Sequence, residues 1–224
     1  MAAATAIPWR VLNLGLAPYG EALDRQAALV EQRLQGSIPD TLILLEHPPV
    51  VTLGRAKTTA NLRLAPQELR ARGIEFFEIS RGGDVTYHAP GQLVGYPIFD
   101  LGQHGRDVLR FCRRVEAALI GTLTGFDLTA RAVPGKAGVW IGDRKIASLG
   151  ISLRRWVTFH GFALNVSVDL AGFQMIRPCG EEPGIMTSME VERGRQVAMD
   201  AVRSRLAAEF ARVFHFGEWR AVNV

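Results

Sequence analysis

Six short segments, residues 41–45, 74–79, 93–99, 138–141, 145–153 and 157–166, are apolar or alternate apolar with polar residues over the length of a β-strand. They do not alternate regularly with helices, which argues against a doubly wound parallel sheet, where a crossover helix follows each strand. Helical spacing appears instead at the start, middle and end of the chain. In residues 19–34, Leu23, Ala27, Val30 and Leu34 recur on one face, with Glu21, Asp24, Arg25 and Arg33 mostly elsewhere. In residues 107–123, Val108, Phe111, Val115, Leu119 and Leu123 do the same, and Asp107 stands at the amino end, where a carboxylate suits the helix dipole. A third helix is predicted over about residues 197–213. Together these predict an α+β fold, a mixed or antiparallel β-sheet with packed helices, in which Gly142-Asp143 turns a tight hairpin. No repeat, linker tract or composition shift divides residues 1–224, so they read as a single domain.

Composition removes several function classes. An apolar fraction of 48% excludes low-complexity disorder, and the longest charge-free run, residues 85–99, is too short for a membrane span and carries His, Pro and Gly. The amino terminus lacks the charged head and apolar stretch of a secretory signal, which predicts a cytoplasmic protein. Neither G-x-G-x-x-G after a strand nor G-x-x-x-x-G-K-[ST] occurs, so nucleotide loops of those kinds have no support. Cys112 and Cys179 form neither a disulfide framework nor a Cys-x-x-Cys pair, and His47, His104, His160 and His215 lack ligand spacing. No metal and no cofactor is expected. The net charge is +4, but no basic stripe with interleaved aromatics appears, so nucleic acid is not an expected partner and an acidic protein is compatible.

The densest chemistry lies in Arg81-Gly82-Gly83-Asp84-Val85-Thr86-Tyr87-His88-Ala89-Pro90-Gly91-Gln92. Gly82 and Gly83 permit close approach of backbone amides to a ligand, and Arg81 and His88 are side chains able to polarise a carbonyl; a plain strand-turn-strand connection is the other reading. Cys179, in Arg177-Pro178-Cys179-Gly180, is a loop cysteine, either a nucleophile with the access a thiolate needs or an inert half-buried thiol, whereas Cys112, beside Phe111 in an amphipathic helix, reads as core. Of 26 cationic residues only Lys57, Lys136 and Lys145 are lysines. Strand alternation puts Lys145, Ala147 and Leu149 on one face. Lys145 is either a solvated hairpin lysine beside Asp143 and Arg144 or an inward-facing amine able to take a proton from a thiol, which a guanidinium cannot do.

Residues 81–92, read as R-G-G-x-x-T-x-H-x-P-G-Q, resemble the signature of lipoyl(octanoyl) transferases. Gly138-Val139-Trp140, Lys145-Ile146-Ala147-Ser148-Leu149-Gly150, His160-Gly161-Phe162-Ala163-Leu164-Asn165, Pro178-Cys179-Gly180 and Met186-Thr187-Ser188 resemble further segments of that family in the same order. The resemblance implies a fold like the catalytic domain of biotin and lipoate protein ligases. It also implies transfer of octanoyl from octanoyl-acyl carrier protein to a lysine of lipoyl domains, those of 2-oxoacid dehydrogenase and glycine cleavage complexes. Cys179 is then the acyl-thioester nucleophile and Lys145 its proton partner. Arg81 to His88, Ser148, Leu149, Gly150, Gly161, Phe162 and Ala163 correspond to the acyl-substrate pocket.

The donor thioester is already activated, so no ATP is needed. Amides around Cys179 or Gly82-Gly83, and His88 as a weaker candidate, are expected to stabilise the oxyanion. Arg113-Arg114 and Arg154-Arg155 suit docking of an acidic carrier. The alternatives are an ATP-dependent lipoate or biotin ligase, an amidotransferase between lipoyl-domain proteins, a thioesterase and a non-catalytic acyl-carrier-binding module.

Overall fold

The computed structural model describes residues 7–56, 59–178, 182–217 and 221–223. Its main sheet has eight strands in the order β11-β1-β2-β6-β10-β9-β8-β7, with β1 at Trp9–Leu16, β2 at Asp40–Glu46, β6 at Gln92–Ile98, β7 at Arg131–Val133, β8 at Lys136–Ile141, β9 at Arg144–Arg154, β10 at Val157–Asn165 and β11 at Ala221–Asn223. The β1–β2 and β1–β11 pairs are parallel and the others antiparallel, which gives the mixed sheet expected of the α+β reading. A second sheet orders β4 (Glu75–Glu78), β3 (Val50–Leu53) and β5 (Val85–His88) beside it. Five helices are described: α1 at Tyr19–Leu34, α2 at Pro66–Ala71, α3 at Val108–Thr124, α4 at Met189–Arg193 and α5 at Met199–Phe214.

The six strand expectations and the three long helices are present, and Gly142 opens the β8–β9 turn at φ +56°. Strands β1, β3, β5, β7 and β11 and the short helices α2 and α4 carry no signal that the sequence reading picks out. The α1 face is rotated from its apolar periodicity: Ala22, Gln26, Leu29, Val30 and Arg33 are buried, while Ala27 is exposed and Leu23 only half-buried. Gln26 and Arg33 go inside because each has a partner there. Gln26 Oε1 accepts the His160 backbone N–H at 2.8 Å, and Arg33 Nε donates to the buried Asp40 carboxylate at 2.8 Å. Asp107 caps α3 by accepting the Arg110 N–H at 2.9 Å.

Helices α3 and α5 cover one face of the main sheet, and α1 covers part of the other. At the centre of the first layer Phe99, fully buried, meets the rings of Phe216, Phe214, Phe111 and Phe210 edge-on at 5.2, 5.3, 5.9 and 6.3 Å. No helix among the described residues is long and apolar enough to cross a membrane. Because Phe99 joins three elements at once, Phe99→Ala is expected to cost about 3–5 kcal/mol and Phe99→Leu distinctly less. Guanidinium denaturation checks this; a loss below about 1 kcal/mol for the alanine variant would show that the layer repacks around the gap.

Candidate active site

A cleft of about 1020 Å³ opens between the carboxy-terminal strands of the main sheet, the Arg81-Gly82-Gly83 loop, the exposed side of α3 and the β7–β8 hairpin. Lys145 lies in its wall at 7% exposure, its Nζ 5.4 Å from the centre of the Trp140 ring. Strand alternation alone does not explain that burial. Trp140 pairs with Lys145 and Val139 with Ala147, so Ile146 is the extra residue of a β-bulge. Lys145, Ile146 and Ala147 are consequently buried in succession, Ile146 and Ala147 in the core and Lys145 toward the cleft. Gly138, at φ +114°, makes room for the lysine stem: a Cβ there would stand 2.9 Å from Lys145 Cε and 2.3 Å from the Ala147 carbonyl oxygen.

Cys179 lies outside the described residues. Its neighbour Pro178 lines the cleft, and farther on Met186 forms a bridge with Lys145, whose carbonyl accepts the Thr187 N–H at 3.0 Å. The described chain thus ends beside the cleft at Pro178, resumes at Glu182, which pairs with Arg63, and reaches Lys145 at Met186 and Thr187.

Of the pocket residues expected from sequence, Arg81, Gly82, Gly83, Val85, Thr86, His88, Ser148, Leu149, Gly150, Gly161, Phe162 and Ala163 line this cleft. Asp84 and Tyr87 do not. The Asp84 carboxylate is bonded by the Asn61 side-chain amide, and Tyr87, on the opposite side of β5 from His88, packs edge-on against Phe173 at 5.5 Å. Arg81 is held as a clamp: Nη2 donates to the Thr52 carbonyl and hydroxyl, both at 2.9 Å, and Nη1 to the Gly82 carbonyl at 3.1 Å. The Gly82 N–H is directed to the Ile151 carbonyl at 3.3 Å, which removes it from the expected oxyanion donors.

His88 is not the carbonyl-polarising donor expected of it. The Thr187 carbonyl can only accept, so Asn165 must donate to it through Nδ2 (2.9 Å), which turns Asn165 Oδ1 toward Gln92. Gln92 then donates through Nε2 to Asn165 Oδ1 at 2.8 Å, and its Oε1 faces His88 Nδ1 at 2.6 Å. Nδ1 must carry the ring proton, and Nε2 keeps a lone pair. His47 is fixed the same way, donating from Nδ1 to the Ala17 carbonyl and accepting the Tyr96 hydroxyl at Nε2, each at 2.7 Å.

Several cleft residues were not among the expected pocket: Tyr19, Tyr96 and Glu116, which carry no motif, and His160, which opens the family-like segment before Gly161. Tyr19 stacks 6.1 Å from His88, and Glu116 accepts the Gly138 N–H at 3.0 Å. Burial raises the Glu116 carboxyl, while that N–H, Arg113 and Lys145 pull it back down. Cys112 is half-buried in the cleft wall rather than in the core, and burial pushes its thiol up to about 11, with Glu116 adding to the effect. It stands one residue off the core face marked by Phe111 and Val115. Arg113 lines the cleft, but Arg114 donates to the Val213 carbonyl and lies over Phe214, and Arg154 pairs with Glu31. Of the four arginines expected to dock an acidic carrier, Arg114 is thus engaged by its own fold, while Arg113 faces the cleft and Arg154 and Arg155 stay exposed beside Glu31.

Burial is the main cause that lowers His47 to about 4, His88 to about 3 and His160 to about 4. The unfolded chain binds protons on these rings near 6.5, which the folded chain refuses until lower pH. Stability from these groups is therefore full above about pH 6.5 and is lost as pH falls toward about 4. Urea midpoints are expected to drop between about pH 7 and about pH 4.5, and His47→Gln is expected to flatten the slope; an unchanged slope would show that His47 does not contribute.

Residues 18–211 match the family model of the lipoyl protein ligase A/B catalytic domain. The octanoyltransferase of Solibacter usitatus is 50% identical over 204 residues, covering 91% of this chain and 92% of that protein. The fold matches a bipartite lipoate protein ligase from Thermoplasma acidophilum (TM-score 0.75, 19% identity, 97% of this chain and 88% of that one). It also matches biotin protein ligase from Aquifex aeolicus (TM-score 0.54, 10% identity, 92% and 68%). With half of its residues shared across nearly the whole of one such enzyme, this chain belongs to the lipoyl protein ligase A/B family, among its octanoyltransferases.

Proposed function

We propose that this octanoyltransferase is a single cytoplasmic catalytic domain that takes its acyl group from octanoyl-acyl carrier protein, holds it as a thioester on Cys179, and passes it to a lysine of lipoyl domains. Those of 2-oxoacid dehydrogenase and glycine cleavage complexes are the acceptors this reading names. The observation that carries it is Lys145, an amine buried in the wall of a cleft roomy enough for an acyl chain, in a chain with only three lysines among its 26 cationic residues. An amine can lose and regain a proton there, and a guanidinium cannot.

The roles follow from acyl-transfer chemistry. In the first step the Lys145 amine takes the Cys179 proton, the thiolate attacks the donor carbonyl, and the carrier sulfur leaves with its bonding pair and a proton. In the second, the acceptor amine attacks the thioester and Cys179 leaves as the sulfur. Exchange between thioesters is close to neutral in bond energy, so no ATP is consumed. Leu149, Phe162 and Ala163 offer apolar wall to the tail, worth about 0.8 kcal/mol per buried methylene. Gly83 and the amides around Cys179 remain as oxyanion donors, since the Gly82 N–H and neutral His88 are otherwise committed. An acceptor lipoyl domain fits the T. acidophilum ligase described together with its E2 lipoyl domain.

Intact-protein mass spectrometry after mixing with octanoyl-acyl carrier protein tests the reading. A gain of one octanoyl group is expected, absent in Cys179→Ser and discharged by an added lipoyl domain. Lys145→Ala is expected to slow adduct formation by about 10²–10⁴-fold. Turnover without an adduct, dependent on ATP, would replace this reading with an adenylating ligase; an adduct that survives Cys179→Ser would remove Cys179 from its role.

A further inference from the structure

His88 presents a lone pair, not a proton, to the cleft. Its Nδ1–H is committed to Gln92, and its Nε2 has no protein partner among the described residues. The surroundings keep it neutral: the ring is buried, His47 lies 5.8 Å away ring to ring, and Arg81 and His160 face it as further basic groups, with the Tyr19 ring on one side. Only Gln92, a neutral amide, favours its charged form.

A fixed acceptor in an acyl-transfer cleft has few uses. An oxyanion would be repelled by it, the octanoyl chain, the thioester carbonyl and the thioester sulfur carry no polar hydrogen to give it, and the one on the Cys179 thiol goes to Lys145 in the first half-reaction. The attacking group of the second half-reaction does carry one, because a primary amine keeps N–H bonds while its lone pair is used elsewhere.

We propose that His88 Nε2 accepts a hydrogen bond from the acceptor lysine's amine and aims its lone pair at the thioester carbonyl, and that Gln92 and Asn165 are positioning residues that hold His88 in this tautomer. The inference rests on the thioester reading above. In the step it serves, the amine nitrogen bonds to the acyl carbon, the C–S bond breaks and the sulfur takes its electron pair. The surplus proton on nitrogen passes through the Lys145 amine to that sulfur, leaving an amide and the Cys179 thiol. The relay ends where Lys145 is held: Asn165 donates to the Thr187 carbonyl, and the Thr187 N–H donates to the Lys145 carbonyl. The group that orients the amine and the group that moves its proton are therefore positioned by one run of hydrogen bonds.

Two measurements on the full chain test this. Long-range proton–nitrogen NMR of the histidine rings, with His88→Gln to assign the signal, is expected to show His88 protonated at Nδ1 and not titrating near the usual histidine pH; an Nε2–H ring overturns the proposal. Rapid-quench kinetics then time acylation by octanoyl-acyl carrier protein and discharge to a lipoyl domain separately. In His88→Gln the ratio of discharge to acylation rate is expected to fall about tenfold, the worth of one hydrogen bond made in the transition state.

Gln92→Glu places a carboxylate against Nδ1, raises the His88 pKa and turns Nε2 into a donor. Its discharge rate is expected to gain an acid limb that the unaltered chain lacks over the same pH range. Equal loss in both half-reactions, or a larger loss in acylation, overturns the proposal. Absence of any Cys179 adduct in the unaltered chain would instead remove the thioester reading on which it rests.

Discussion

Setting Ile146 between the partners of Val139 and Trp140 makes β9 carry consecutive inward residues at the edge of the cleft. A regular strand would put Lys145 and Ala147 on one face and Ile146 on the other, so Ile146 and Ala147 could not both enter the core while Lys145 turns toward the cleft. The bulge lets both happen. Gly138 on the facing strand is shaped for the result, and Glu116 reaches across from α3 to hold the Gly138 amide. Displacement of this short stretch would move the lysine, the Trp140 ring beside its Nζ, and the Thr187 segment bonded to its carbonyl.

Much of the fold was legible because its signals are local. The long helices and the six central strands carry their periodicities in their own residues, and Asp107 and Gly142 mark ends by their chemistry. What was missed depends on partners distant in sequence. The short strands β3 and β5 are defined by pairing with each other, Val50 opposite His88 and Leu53 opposite Val85. On α1 the apolar stripe points to Leu23 and Ala27, but the helix is turned by Gln26 and Arg33, whose partners lie at His160 and Asp40.

The candidate site divides along the same line. The glycine-rich segment and the strands after Lys145 were visible as motifs, and most of their residues line one cleft. Motifs do not say which way a side chain points, so Asp84 and Tyr87 were grouped with neighbours from which the pleat of β5 separates them. Nor do they reveal tautomers: the acceptor character of His88 follows from a carbonyl almost a hundred residues away, through two amides that each can be oriented only one way. Glu116 and Cys112 looked like ordinary helix residues because nothing in their spacing shows that the exposed side of α3 is a wall of the cleft.

That wall bears on fidelity. An acyl group carried as a thioester is labile to any thiolate near it, and Cys112 stands in the same cleft. Burial and the neighbouring Glu116 push its thiol up to about 11, so it stays protonated through the neutral range. On the thioester reading proposed above, a cysteine packed this way walls the cleft without becoming a second site of acylation, because its sulfur stays protonated.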